Sequence, residues 1–358
     1  MELLYLTDRL SHRGGAPHHL LDLIRVMAEE HQVTVAAADK DQDVVLPEGV
    51  RFERCSGLRH ARAHRGGLDK LPSLIAEAGV IHVQNIMNPV ALSLACGPRS
   101  VVTVQDHRVF CPGPGKTLPD DVTCDQPMSE EHCTFCIPDD DRRLDMLALT
   151  RARLDAIRAA AQTIVLSQYM ADALTQVGAP GAAVIPPPVH VDSLKTDAGE
   201  HFLLAGRLVK HKGTDIAIEA FSLARPPCEL RVAGLGSESI GSARALGWLD
   251  RDTLRTELRS SRALLFPARW QEPFGIVGVE ALSVGTPVIA VSRGGMDEWT
   301  DAGTIVVDDA AEMAAAITHL SQRPQAALAL GKAGHAMVAE RFSPARHRSA
   351  VKAVYNAL

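Results

Sequence analysis

The stretch Ala263-Leu-Leu-Phe-Pro267, Ala268-Arg-Trp-Gln-Glu272-Pro-Phe-Gly-Ile-Val-Gly-Val-Glu280-Ala-Leu282, Gly285-Thr-Pro-Val-Ile-Ala-Val291 decides the reading of this chain. It scans as strand, loop, helix, turn, strand. The apolar run 263–266 is too short for a helix and stops at a proline. A helix starting near Phe274 ends at Gly285, with Pro287 just beyond, the usual order of helix-stop signals. Glu280 then lies inside the helix and Glu272 in the loop before it. An open helix N-terminus offers unpaired N–H groups and partial positive charge, which suits a phosphate. Carboxylates suit hydroxyls, so a ligand carrying both phosphates and sugars fits this combination.

Working outward, each half of the chain repeats a strand-to-helix turn of ligand-binding type. Leu3 to Thr7 reads as a strand leading to Gly14-Gly15, and the apolar stripe Leu20, Leu21, Leu23, Ile24 and Met27 follows as a helix. Val33–Ala37, Val80–Gln84, Val101–Gln105 and Thr163–Leu166 are further strands. His201–Ala205 restarts the pattern and is followed by Gly206-Arg207-Leu208 and Lys212-Gly213. A planar guanidinium and a point charge at such a turn match a pyrophosphate, although isolated basic residues are ordinarily solvated. Glu229–Ala233 and Ile305–Val307 complete the strands. Gly294-Gly295 can open backbone N–H groups to the same ligand or form a plain turn.

These motifs taken together resemble retaining glycosyltransferases of family 4: Glu272-Pro-Phe-Gly, Glu280 after seven intervening residues, Gly285-Thr-Pro-Val, Gly206-Arg-Leu with Lys212-Gly, and Gly294-Gly-x-x-Glu298. The resemblance implies an α/β GT-B fold, two Rossmann-like domains facing a cleft. It implies an N-terminal acceptor-side domain over 1–185, a linker over 186–199, and a donor domain over 200–358 whose last helix returns toward the first domain. Glu272 is expected at the sugar hydroxyls and Glu280 at the ribose. Arg207 and Lys212 are expected at the diphosphate. Gly14, Gly15, Gly206, Trp248, Leu249, Phe274 and Gly275 are expected in donor binding, with Gly247-Trp248-Leu249 near the nucleobase. Many relatives carry a histidine where Gln105 stands in Thr103-Val-Gln105-Asp106-His107. A carboxamide exchanges hydrogen bonds but takes no proton, and His107 lies only two residues away. No residue claims the part of covalent nucleophile or general base.

The activity implied is transfer of a sugar from a nucleotide-sugar donor, with retention at the anomeric carbon and no metal or other cofactor required for catalysis. The acceptor class spans sugars, lipid-linked sugars and small molecules. A nucleotide-sugar epimerase and a non-catalytic sugar-nucleotide binding protein are the alternatives.

Cys111, Cys124, Cys133 and Cys136 gather in an insertion at about 110–140, the last pair with Cys-x-x-Cys spacing. A structural zinc is one reading, and buried thiols or a redox pair are the others. Asp139-Asp140-Asp141 is read as the acidic opening of a helix over 142–161 rather than a metal motif. The basic run Arg59, His60, Arg62, His64, Arg65 and Lys70 is either solvated surface or a loop meeting an anionic acceptor or membrane headgroups.

Composition sets outer limits. With 46% hydrophobic and 22% charged residues the chain is of globular type, and a net charge of −6 gives nucleic-acid binding no support. No apolar run approaches the ~20 residues needed to cross a bilayer. The start lacks a basic region, and seven cysteines make an odd number, so a cytoplasmic location is expected.

Overall fold

The computed structural model describes residues 1–358. They divide into two units, Met1–Pro186 with His347–Leu358, and Pro187–Arg346. In the first unit the elements are β1 (Glu2–Leu10), α1 (Gly15–Met27), β2 (Gln32–Lys40), β3 (Arg51–Arg54), α2 (Leu71–Glu77), β4 (Val80–Gln84), α3 (Pro89–Ala95), β5 (Ser100–Val104), α4 (Asp140–Arg158), β6 (Gln162–Val165), α5 (Gln168–Gln176) and β7 (Ala183–Val184). The second contains β8 (His201–Ala205), α6 (Thr214–Ala224), β9 (Leu230–Ala233), β10 (Arg244–Gly247), α7 (Arg251–Ser260), β11 (Ser261–Phe266), α8 (Ile276–Ser283), β12 (Val288–Ala290), β13 (Thr304–Val306), α9 (Ala310–Gln322) and α10 (Pro324–Arg341). The last helix, α11 (Pro344–Asn356), belongs to the first unit from His347 onward.

Both sheets are parallel and wound in two directions. The first runs β3-β2-β1-β4-β5-β6-β7 and the second β10-β9-β8-β11-β12-β13. The winding reverses between β1 and β4 and between β8 and β11. In open α/β sheets the loops beyond the carboxyl ends of strands at such a reversal leave a crevice for ligand. These loops hold Gly14-Gly15 after β1, Gly206-Arg207 after β8 and Glu272 after β11.

Strands covered on both faces read as continuous apolar runs, which is why the central ones are plain in the sequence. Tyr5, Leu20, Ile24, Val35 and Val351 share the first core. Phe202, Ala217, Val232, Leu265, Ile289 and Ile317 share the second. Three elements carry no such signal: β3 (Arg-Phe-Glu-Arg), the two-residue β7 and β10 (Arg-Ala-Leu-Gly). All three lie at sheet edges, where short or charged strands are the rule.

The stretch 186–199, read as a linker, is instead bound into the second unit from Pro187 on. Asp192 pairs with Arg255 at 2.5 Å, Ser193 accepts from Arg259 at 2.6 Å, and Val189 N–H donates to Phe342 at 2.8 Å. Its prolines fix an extended path whose polar groups find partners along α7 and the end of α10.

Candidate functional site

At the reversal in the second unit, two loops are fastened together. Gly213 adopts φ 71°, and a Cβ there would stand 1.7 Å from the Pro267 carbonyl oxygen, so only glycine allows the contact. The His211 carbonyl accepts from the N–H groups of Arg269 at 3.0 Å and Trp270 at 3.3 Å. This fastening places Lys212 against Glu272. The Glu272 residue is 4% exposed, and its Oε1 receives both the Lys212 ammonium and the Trp270 indole N–H, the latter at 2.5 Å. The ammonium also lies 4.9 Å from the Trp270 ring centroid, within cation–π range. Arg207 donates to His211 Nε2 at 3.3 Å. Burial, then the neighbouring Arg207 and Lys212 charges, hold the His211 imidazole below its ordinary pKa, so it stays an acceptor.

Glu272 is also fixed through its backbone. Gly295 N–H donates to its carbonyl at 2.7 Å, and Gly294, at φ 64°, comes so near that a Cβ would meet that oxygen at 2.6 Å. Gly294 and Gly295 thus serve as backing for Glu272. The glycines that open α1, α6 and α8 (Gly14, Gly213 and Gly275) supply no side-chain cap. By contrast α3, α4, α5, α7 and α9 are capped by Asn88, Asp139, Ser167, Asp250 and Asp309. The helices following β1, β8 and β11 therefore begin without a side chain on their first N–H groups, which leaves them for an anion.

The other donor-site expectations divide. Gly206 and Arg207 are exposed at the end of β8. Trp248 is 44% exposed and Leu249 half-buried, just beyond Gly247. Glu280 stands 3.8 Å from Arg251 at the start of α7. The Phe274 ring lies inside the fold. It is 1% exposed and packs edge-on against Phe342 at 5.4 Å, while its carbonyl accepts from the Trp299 indole at 2.6 Å. Its ring is core, because the loop turns inward there to seat α8.

In the first unit Gln105 is 9% exposed and held at both ends of its carboxamide. Its Nε2 donates to His19 Nδ1 at 2.6 Å, and its Oε1 accepts from Gln84 Nε2 at 3.0 Å. His107 is turned elsewhere, hydrogen-bonded to the Tyr169 hydroxyl at 3.1 Å and packed on Phe110. Sequence reading missed His19, Gln84 and Arg153. Arg153 is 3% exposed and donates to the carbonyls of Met87, Arg108 and Ala61 at 2.9, 3.4 and 2.5 Å. It ties three loops beyond the sheet together. Its place three residues after Thr150 and four before Ile157, both on the buried face of α4, was the available clue.

Asp139 caps α4 by accepting from Arg142 N–H at 2.7 Å, with Asp140 and Asp141 in the first turn. In the basic run, Arg59 pairs with Asp39, Arg62 with Asp145 and Lys70 with Glu53. Burial, then the nearby Cys111 and Cys124, push up the Cys136 thiol to about 11. No three His, Cys, Asp or Glu residues, Cys111, Cys124, Cys133 and Cys136 included, are grouped so that they could hold a metal ion. No helix is long and apolar enough to cross a membrane.

Residues 13–193 match the family model described as Glycosyltransferase Family 4, and residues 190–337 match that of Glycosyl transferases group 1. The chain is 28% identical over 228 residues to glycogen synthase of Mycobacterium tuberculosis, covering 56% of this chain and 55% of that protein. It is 36% identical over 111 residues to phosphatidyl-myo-inositol mannosyltransferase of Propionibacterium freudenreichii, 29% of each. The chain thus spans about half the length of the glycogen synthases it matches. Among solved structures, Anabaena HepE in complex with UDP-glucose aligns at TM-score 0.70 and 18% identity over 100% of both chains. Sucrose-phosphate synthase from Thermosynechococcus elongatus aligns at TM-score 0.72 and 19% identity, over 99% of this chain and 98% of that one. At these identities the likeness carries the fold, the two Rossmann-like halves of GT-B.

Proposed function

This chain belongs to glycosyltransferase family 4, and we propose that it transfers a hexose from a nucleotide-sugar donor to an acceptor hydroxyl with retention at the anomeric carbon. The observation that carries the reading is the buried Glu272 carboxylate, shared by Lys212 and Trp270 at the reversal of the second sheet. Arg207 lies beside it, and α6 and α8 open there without side-chain caps. An ammonium has three donors, so Lys212 can keep Glu272 and still meet a phosphate oxygen. Arg207 adds a planar pair of donors for the other phosphate. When the bond from anomeric carbon to diphosphate breaks, the diphosphate leaves with the electron pair. In this reading the two cations and the helix N-termini stabilise that charge. The acceptor oxygen forms the new bond to the anomeric carbon and passes its proton to the departing diphosphate oxygen. Glu272 orients sugar hydroxyls through its second oxygen, and Glu280 is assigned to the ribose. Gly14, Gly15 and Gln105 of the first unit are assigned to the reacting sugar and the acceptor. No metal is assigned a step.

The relatives support the donor class and the range of acceptors. HepE was solved with UDP-glucose, and phosphatidyl-myo-inositol mannosyltransferase is named for a lipid acceptor. The test is a panel of UDP-, GDP- and ADP-sugars, each with and without sugar and inositol-lipid acceptors, with the product linkage read by proton NMR. Acceptor-dependent loss of donor and a linkage of the donor's own configuration are expected. An inverted linkage overturns retention, acceptor-independent isomerisation makes the protein an epimerase, and binding without turnover makes it a binding protein.

A further inference from the structure

A row of polar residues crosses the core of the first unit on one face of its sheet. Strand register places Tyr5 beside His82 and Gln84 beside Thr103. The alternation of strand side chains adds Gln105 to the same face. From α1, His19 comes down onto this face, and from α11 come His347 and Tyr355. All are buried. The Tyr355 hydroxyl meets that of Tyr5 at 3.0 Å and His82 Nδ1 at 2.5 Å, while His82 Nε2 meets Thr103 Oγ1 at 2.6 Å. Beside them runs a second chain of bonds. Gln84 Nε2 reaches Gln105 Oε1 at 3.0 Å and Gln105 Nε2 reaches His19 Nδ1 at 2.6 Å. His19 Nε2 reaches His347 Nε2 at 3.1 Å, and His347 Nδ1 reaches the Pro186 carbonyl at 2.8 Å.

The direction of every bond in this second chain follows from its ends. A carbonyl only accepts, so His347 carries its proton on Nδ1 and offers a lone pair on Nε2. His19 must then donate from Nε2 and accept on Nδ1. An amide nitrogen only donates, so the Gln105 amide fits that acceptor, and its oxygen is left to accept from Gln84. The Gln84 amide also donates to the Ala16 carbonyl at 3.1 Å, next to the Gly14-Gly15 turn. That contact anchors the first end of the chain, although it leaves Gln84 Oε1 buried without a partner. Turning Gln84 over would set its oxygen against two other acceptors.

We propose that His19 and His347 are positioning residues, holding the Gln105 carboxamide in one orientation through a hydrogen-bond chain that runs from Ala16 to Pro186. The chain decides which edge of Gln105 offers its remaining N–H and which its remaining lone pair. It also makes α11 part of that definition, since His347 is the residue at which the chain re-enters the first unit. A proton added to either imidazole breaks it. Protonated His347 would face His19 with a donor and move the His19 proton to Nδ1, against the Gln105 amide. The groups acting on the pair are His82 of β4 and Asp22 of α1, with Tyr5 and Tyr355 beside His82. Burial dominates over the Asp22 charge and holds His347 down to about 4, with His19 also well below its ordinary value.

The role assigned to Gln105 rests on the transferase reading, but the chain itself is testable without it. Long-range proton–nitrogen spectra of the imidazoles in the intact protein, assigned through single His→Gln variants, should show opposite tautomers. His19 should carry Nε2–H and His347 Nδ1–H, unchanged from pH 8 to 5.5. Equal tautomers, or a cationic ring at pH 7, would overturn the chain whether or not any donor is turned over. With a donor from the panel that is turned over, His347→Leu should lower kcat about tenfold at unchanged UDP, GDP or ADP affinity. His347→Gln, which keeps an acceptor for His19, should recover most of that loss. Equal activity in both variants and wild type, or equal loss in both, would overturn the positioning role.

Discussion

The two sheet reversals solve one topological problem with opposite chemistry. In the second unit the loops beyond β8 and β11 bring charge together: Lys212 on a 4%-exposed Glu272, with Arg207 alongside. In the first unit the last residue of β4, the residue after β5 and helix α1 supply amides and an imidazole, Gln84, Gln105 and His19, linked without a formal charge. A buried carboxylate that fixes its cation in place presents an anionic ligand with a charge already positioned. A neutral chain binds weakly but fixes direction.

The largest effect should come from taking the charge out of the second site. Glu272→Gln keeps the shape but replaces two charge-assisted bonds on one oxygen with weaker neutral ones. Such bonds contribute roughly 1.5–3 kcal/mol each, so kcat/KM should fall about 30-fold or more. Nucleoside diphosphate affinity should hold or rise, since Lys212 is released toward phosphate. A variant with full activity would mean that the carboxylate does not hold the sugar.

Lys212→Ala and Arg207→Ala sharpen the contrast within that site. Only the first strands a buried carboxylate. With the Lys212 side chain 24% exposed, a discounted loss of about 1–2 kcal/mol is expected. That corresponds to a Tm lowered by about 2–8 °C for a unit of this size. Arg207 is exposed, and its removal should move Tm by less than about 1 °C. Scanning calorimetry distinguishes them, and equal shifts would deny that Glu272 depends on Lys212.

Acid should act on the two units unequally. Burial holds His82 to about 3 and His347 to about 4, and lowers His19 as well; in the second unit it holds His201 to about 4. These folded-state values lie below the unfolded value near 6.5, so below pH 6.5 the unfolded chain binds more protons. Stability is complete above that pH and is lost as it falls toward 4. The loss should be larger in the first unit, where His19, His31, His82 and His347 are all lowered, against His201 and His211 in the second. All three tyrosines lie in the first unit and all three tryptophans in the second. Urea unfolding at pH 5 and 7 should therefore show a larger midpoint shift by tyrosine absorbance than by tryptophan fluorescence. Equal shifts would contradict the assignment of neutral, buried imidazoles to the first core.

How much of this was legible in the sequence follows the same divide. The second site is written in short words, Gly-Arg-Leu, Lys-Gly and Glu-Pro-Phe-Gly, because its residues flank glycines that only turns require. What the words do not show is that Lys212 and Glu272, 60 residues apart, touch each other. Nor do they show that Phe274 points inward, since a ring beside a site glycine reads alike in either direction. The first site was hardly legible. Its key contact joins His19 to His347 across 328 positions, and a lone histidine on an apolar helix face carries no mark of its partner. Arg153 went unnoticed because length and charge usually mean solvent. Only burial under three loop carbonyls distinguishes it.

The central claim is that the second unit grips a nucleoside diphosphate through Arg207 and Lys212. Titration calorimetry of UDP, GDP and ADP against the wild-type chain, Arg207→Ala and Lys212→Ala tests it most directly. At least one of the three should bind the wild type and lose about tenfold or more affinity in each variant, the worth of one charge-assisted bond. A diphosphate that binds all three proteins equally would place the phosphate site elsewhere and contradict the account.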